Sequence, residues 1–224
     1  MANMKRGAMS GSIRSTVLLC VGLIALVVVL FVIKVLRPVS LDEEALRELG
    51  VVLLPVPREL VIEGLTDITE QPVTVDSFKG RWSFVFFGFS HCPDICPTTM
   101  AEMGKAFREL AEKSPNIAKQ MQGVLVTVDP ERDDPETLER YVRTFSASFT
   151  GMTGTRESLA DFATQVNVAF GKIPDGNGGY TVDHTGNIVI INPQGHYRGF
   201  IKMPQSAHTI RETATSLWER YPEG

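Results

Sequence analysis

The pattern of apolar and polar positions divides the chain into an N-terminal apolar run and a longer region of alternating strands and helices. Val17 to Ile33 carries no charged residue, and Val35 and Leu36 continue the run beyond Lys34. That reaches the ~20 residues a helix needs to cross ~30 Å of hydrocarbon. "LDEEALRELG" then spaces Leu41, Ala45, Leu46 and Leu49 as a short amphipathic helix closed by Gly50. In "VVLLPVPREL", Pro55 and Pro57 predict an extended linker without packing of its own.

From Glu59 the period changes repeatedly. Residues 59–80 read as short strands and turns, with a hairpin among them. "RWSFVFFGFS" and "QGVLVTVD" are near-continuous apolar runs that suit strands buried on both faces. Between them, Met100, Met103, Phe107 and Leu110 have helical spacing, which points to core packing rather than metal binding. "DPETLERYVRTF" starts a helix with Asp134 as N-cap and Pro135 at the first position. "SFTGMTG" reads as a strand. "TRESLADFATQVNVAF" reads as a helix with Leu159, Phe162, Ala163, Val166 and Phe170 inward, and "GKIPDGNGGYT" as a loop. Two strands around an Asn-Pro-Gln-Gly turn and a last helix, "SAHTIRETATSLWERY", complete the chain. This order predicts an α/β domain with a mixed sheet, parallel first and antiparallel at the end.

Composition narrows the class. The chain has 224 residues, 43% hydrophobic and 21% charged, as expected for one globular domain with appendages. A net charge of −4 supplies no basic excess for a nucleic-acid partner. The expected organisation is a tail over 1–16 on the cytoplasmic side, a transmembrane signal anchor over 17–36, a linker with a short helix over 37–57, and a domain over 58–222. A cleavable signal is the competing reading of the apolar run, but no A-x-A site follows it. Lys5, Arg6 and Arg14 on one side balance Lys34, Arg37 and Arg47 on the other. Only the α-amino group tips the N-terminus toward the cytoplasm.

Three cysteines are too few for a disulfide framework, and Cys20 lies in the apolar run. That leaves Cys92 and Cys96, in "FFGFSHCPDICPTT", at the end of a predicted strand and the start of a helix, where ligands and catalytic groups gather. If helical geometry begins near Cys92, the two thiols share a face with Cβ atoms ~5–6 Å apart. They can then close a disulfide or hold one metal ion, and the helix N-terminus is expected to lower the thiol pKa. A metal would call for a third donor from His91, His184, His196 or His208. His91 neighbours Cys92 and points elsewhere; His184, in "VDHTG", follows a glycine-rich loop that could reach the cysteines. The acidic run Asp129, Glu131, Asp133 and Asp134 is expected to be a helix cap plus solvated charge. Asp94 and Asp183 are weaker candidates for tuning the site.

"GFSHCPDICPTTM", "VTVDPERDDPETLERYV" and "YTVDHTGNIVIINPQG" stand in register, and with "LLPVPREL" they resemble the Sco/SenC family over residues 50 to 222. The resemblance implies a thioredoxin-like fold with a mixed central sheet flanked by helices, preceded by one N-terminal transmembrane helix. It also implies copper, as Cu(I) or Cu(II), on Cys92, Cys96 and His184. Two soft thiolates and an imidazole suit that metal. The implied role is a metallochaperone that delivers copper to the dinuclear centre of cytochrome c oxidase subunit II. A second copper chaperone or a thiol reductant would be a further partner. The expected location is the bacterial inner membrane, single-pass, with the domain in the periplasm; the mitochondrial inner membrane is second. The alternative is an enzyme, a thiol–disulfide oxidoreductase whose Cys92 and Cys96 form a redox-active disulfide and reduce the recipient's cysteines.

Overall fold

The structure is a computed structural model that describes residues 13–36, 40–176 and 178–221. It divides into two units, at Met1–Val39 and Ser40–Gly224. Most of the expected 1–16 tail lies outside the described residues.

In the first unit, α1 (Ile13–Leu36) has 24 residues, about 36 Å at 1.5 Å per residue. Its stretch Ser15–Val32 has a mean hydropathy of 3.0 and contains no buried residue. By length and composition this helix can cross a membrane.

The second unit opens with α2 (Glu43–Glu48), whose N-cap Asp42 accepts a hydrogen bond from Ala45 N at 2.8 Å and whose Leu46 is buried. Gly50 follows at φ +83°, a left-handed turn that suits glycine. β1 (Val51–Arg58) is then the first correction. Where two prolines predicted an unpacked linker, the segment pairs antiparallel with β10 (Tyr197–Ile201), in register Val51 with Ile201. The prolines are tolerated because β1 is an edge strand and its register breaks between Leu53 and Arg58.

β2 (Leu65–Asp67) and β3 (Pro72–Val73) form the expected hairpin, followed by a 3₁₀ turn at Val75–Phe78. Every residue of β4 (Trp82–Gly88) and β5 (Met121–Thr127) is buried. These two strands and β6 (Thr150–Gly154) run parallel, while β9 (Ile188–Ile191) and β10 join antiparallel. The eight-stranded order is β1-β10-β9-β4-β5-β6-β2-β3. Helices α3 (Ile95–Lys113), α4 (Pro115–Ala118), α5 (Pro135–Arg143), α6 (Arg156–Gln165) and α7 (Ala207–Arg220) complete the mixed α/β domain. On α3, Met100, Met103, Phe107 and Leu110 are all buried. Asp134 caps α5 by accepting from Thr137 N at 2.7 Å.

Two further expectations change. α6 stops at Gln165, and Asn167 at φ 58° turns the chain so that Phe170 belongs to a strand. The supposed loop is largely a hairpin, β7 (Phe170–Pro174) with β8 (Tyr180–His184), forming a two-stranded sheet separate from the main one. Near its tip, Gly176 and Gly178 take φ +79° and +88°, the left-handed turns that the glycine-rich stretch announced.

Candidate metal centre

The central strand β4 ends at Gly88, and the chain must turn before α3 can pack back across the sheet. Cys92 N donates to Phe89 O at 3.3 Å and closes that turn. α3 begins only at Ile95, so Cys92 precedes the helix and Cys96 sits in its first turn. The shared helical face expected of the pair is therefore supplied by the turn. Asp94 occupies the N-cap position without a capping side-chain bond.

Cys96 is fully buried and Cys92 half-buried; neither forms a disulfide. His184 arrives from the far end of β8. The two sulfurs and one ring nitrogen lie within 4.8 Å of one another, the one such group among the described residues. His184 Nε2 is 3.3 Å from Cys96 Sγ, and Nδ1 is 3.3 Å from Thr185 O. If Nδ1 carries the proton and donates to that carbonyl, the Nε2 lone pair faces the sulfurs, the tautomer a metal ligand needs. Phe86 and Phe89 meet the imidazole edge-on at 5.8 and 5.9 Å and fix its plane. A surface cavity of about 360 Å³, lined in part by Phe170, Ile173, Asp183 and His184, keeps the histidine accessible.

Burial pushes the Cys96 thiol pKa well above its ordinary value, and the neighbouring Cys92 and Asp133 add to the rise, while a backbone hydrogen bond with Phe89 opposes it. Desolvation thus outweighs that one hydrogen bond, and the Cys96 pKa goes up where a lowering was expected. Burial also lowers the His184 pKa, which keeps the ring neutral. Cys96 is thus a protonated thiol at neutral pH and His184 a neutral imidazole, so a metal that binds here displaces the Cys96 proton. Two thiolates and one imidazole are a soft donor set that suits Cu(I). Donors on one ion at ~2.3 Å lie about 4 Å apart in a trigonal arrangement. The observed spread meets that after a small closure.

The other histidines stay apart. His91 is exposed, with Nδ1 2.8 Å from Ser90 Oγ. His208 lies on the surface of α7, 2.9 Å from Arg211. His196 lies in the β9–β10 turn, its backbone N–H on Asn192 Oδ1 at 2.8 Å. Asp183 is exposed on β8.

The acidic run departs from expectation. Asp134 is a cap, but Asp129 and Asp133 are fully buried. Asp129 accepts from Tyr180 OH at 2.9 Å and pairs with Arg132. Glu131 bonds Lys172 at 2.5 Å and Arg156 at 3.2 Å. These contacts fasten the hairpin that carries His184. Asp133 reaches the cysteine turn itself, through Ser90. Nothing in the sequence distinguished these buried carboxylates from solvated ones except their density after a buried strand.

Fold and site together define a class: a thioredoxin-like domain whose paired cysteines share their turn with a histidine delivered from a remote hairpin. The family model SCO1/SenC matches residues 64–219, and the chain belongs to that family. A Stutzerimonas stutzeri protein provisionally named as copper-binding is 39% identical over 171 residues, covering 75% of this chain and 82% of its own. The mouse mitochondrial protein SCO2 homolog is 37% identical over 150 residues, covering 66% of this chain; the match spans only 58% of the mouse protein. The structure of Bradyrhizobium japonicum ScoI with copper bound superposes at a TM-score of 0.60 with 31% identity, covering 71% of this chain and 96% of its own. BsSco, described with a disulfide switch and as a member of the Sco family of cytochrome c oxidase assembly proteins, shares the fold at 22% identity and a TM-score of 0.56; the match covers 72% of this chain and 94% of that one.

Proposed function

We propose that this chain is a membrane-anchored metallochaperone that carries copper on Cys92, Cys96 and His184 and delivers it to the dinuclear copper centre of cytochrome c oxidase subunit II during oxidase assembly. The observation that supports this reading best is the meeting of two thiols and a neutral imidazole within 4.8 Å. Copper is the cargo. Cys92 and Cys96 give up their thiol protons as they take it, and His184 contributes the Nε2 lone pair. Cys92 is half-buried and His184 opens on a cavity, so recipient thiolates can displace these donors first and the buried Cys96 last. α1 serves as the anchor, with the domain in the periplasm of a bacterial inner membrane. A second periplasmic copper chaperone or a thiol reductant would prepare the site for loading.

The second reading is a thiol–disulfide oxidoreductase. It draws on the position of the pair, at the end of a central parallel strand and the first turn of α3, where a redox dithiol would also sit. One titration of the full chain in detergent separates the two. Tight binding of Cu(I), and of Cu(II), by the reduced protein is expected. A disulfide potential near that of thioredoxin, about −270 mV, without tight copper binding would favour the enzyme.

A further inference from the structure

Asp133 is a fully buried carboxylate with no lysine or arginine paired to it among the described residues. Removing a charge from water to such a place is costly unless hydrogen bonds answer it. His91 Nδ1 stands 3.8 Å from Asp133 Oδ1 at the exposed side, and the groups that hydrogen-bond the carboxylate are a backbone amide and two hydroxyls. Oδ2 accepts from Ser90 N at 3.0 Å and from Thr127 Oγ1 at 2.8 Å, and Oδ1 accepts from Ser90 Oγ. Because the Ser90 hydroxyl spends its proton on Asp133, it accepts from His91 Nδ1, 2.8 Å away. The Asp133 carbonyl is itself held by Thr153 Oγ1 at 3.4 Å, and its N–H by Asp129 O at 3.0 Å.

Ser90 is the second residue of the turn that Cys92 N closes on Phe89 O. One carboxylate therefore grips both the backbone and the side chain of the residue two places before Cys92. Thr127, at the end of β5, fixes the carboxylate to the sheet from the other side. The sheet has no use for a buried anion here that a leucine could not serve; the turn does.

We propose that Asp133 is the positioning residue of the dithiol: by clamping Ser90 it holds the 89–92 turn so that Cys92 Sγ stays within bonding reach of Cys96 Sγ. This rests on the proposed function only in that the same dithiol is the one used, and it holds for the metal-free chain. With the clamp released, the turn samples more conformations and the two sulfurs meet less often. The disulfide becomes easier to reduce, and the reduced pair becomes a poorer chelate.

The test equilibrates the full-length, metal-free protein in detergent with reduced and oxidised glutathione. In this reaction two glutathione thiols supply two electrons and two protons to the Cys92–Cys96 bond. The products are the dithiol and glutathione disulfide. Asp133→Asn is expected to shift the equilibrium toward the dithiol by about tenfold. Ser90→Ala, which keeps the backbone bond, is expected to shift it by about threefold. Ser90→Thr, which keeps the hydroxyl, should stay close to the parent. Leu159→Ala on α6 controls for general loss of stability and should leave the equilibrium alone. The proposal is overturned if both Asp133→Asn and Ser90→Ala lie within twofold of the parent, or if Leu159→Ala shifts the equilibrium as far. Should Asp133→Asn fail to fold, the Ser90→Ala and Ser90→Thr pair decides. Weak copper binding by the parent would sink the metallochaperone reading and leave this result standing.

Discussion

Cys96 Sγ lies 3.3 Å from His184 Nε2, across 88 residues of chain. The contact joins a sulfur buried in the first turn of α3 to a ring held between Phe86 and Phe89. It gives the site its asymmetry, with one sealed donor and two reachable ones.

Replacing His184 by Ala removes the one nitrogen donor and leaves both sulfurs in place. Copper affinity, measured by competition with a chelator, is expected to fall by more than the ~10–100-fold seen when an outer-shell partner of a metal ligand is lost. The Cys92–Cys96 disulfide should still form. Unchanged affinity would remove His184 from the site.

Gly88 ends β4 against the site. A Cβ there would stand 2.8 Å from Phe86 Cε1 and 3.0 Å from Cys96 Sγ. Gly88→Ala should therefore overpack a rigid corner and cost about 1–3 kcal/mol in urea unfolding. Because the clash is with the Cys96 sulfur and a ring that steadies His184, copper affinity should fall with it on the proposed set of ligands.

Thiol reactivity should be unequal. In the reduced, metal-free protein, iodoacetamide should label half-buried Cys92 before buried Cys96, as read by peptide mass. The raised Cys96 pKa also sets a pH dependence. An unfolded chain releases this proton near 9.0, whereas the folded chain keeps it, so stability is whole below that pH and declines above it. Forming the disulfide removes this titrating group and should remove the part of the decline that starts near 9.0, leaving the part above 10.0 that comes from Tyr141 and Tyr197, whose phenol pKa values burial also raises.

Tyr180→Phe deletes the phenol that bonds buried Asp129 at 2.9 Å. The carboxylate loses a donor that solvent cannot easily replace, for a cost of about 1–3 kcal/mol in urea unfolding. Protection of the β7–β8 amides from hydrogen exchange should drop more than that of β4 and β5, since the lost bond fastens the hairpin.

The elements built from local pattern were legible in the sequence. The apolar α1, the all-buried β4 and β5, the Asp134–Pro135 start of α5 and the spacing of α3 each follow from neighbours a few residues apart. Cys92, Cys96 and His184, which the structure brings within 4.8 Å of one another, also stand out in the sequence, His184 chiefly because "YTVDHTG" resembles a family motif. What failed depended on remote partners. β1 read as a linker because its prolines are visible locally, while its partner β10 lies more than a hundred residues on. The β7–β8 hairpin was hidden by its glycine-rich tip. Asp129 and Asp133 looked solvated because charge shows in a sequence, whereas Tyr180 and Ser90, which answer that charge, come from other parts of the chain.

The separate two-stranded sheet has a kinetic meaning. Cys92 and Cys96 belong to the body of the domain, but His184 rides on an arm that shares no ladder with the eight-stranded sheet. Swinging the arm by a few ångströms would break the ties at Asp129, Glu131 and Arg132 and the ring contacts of His184 with Phe86 and Phe89, and no rung of the main sheet. On the proposed copper-carrying role, such a swing would withdraw the imidazole while both sulfurs stay in the body of the domain, so loosening of the ion and its handover to a recipient would begin at one movable part of the chain.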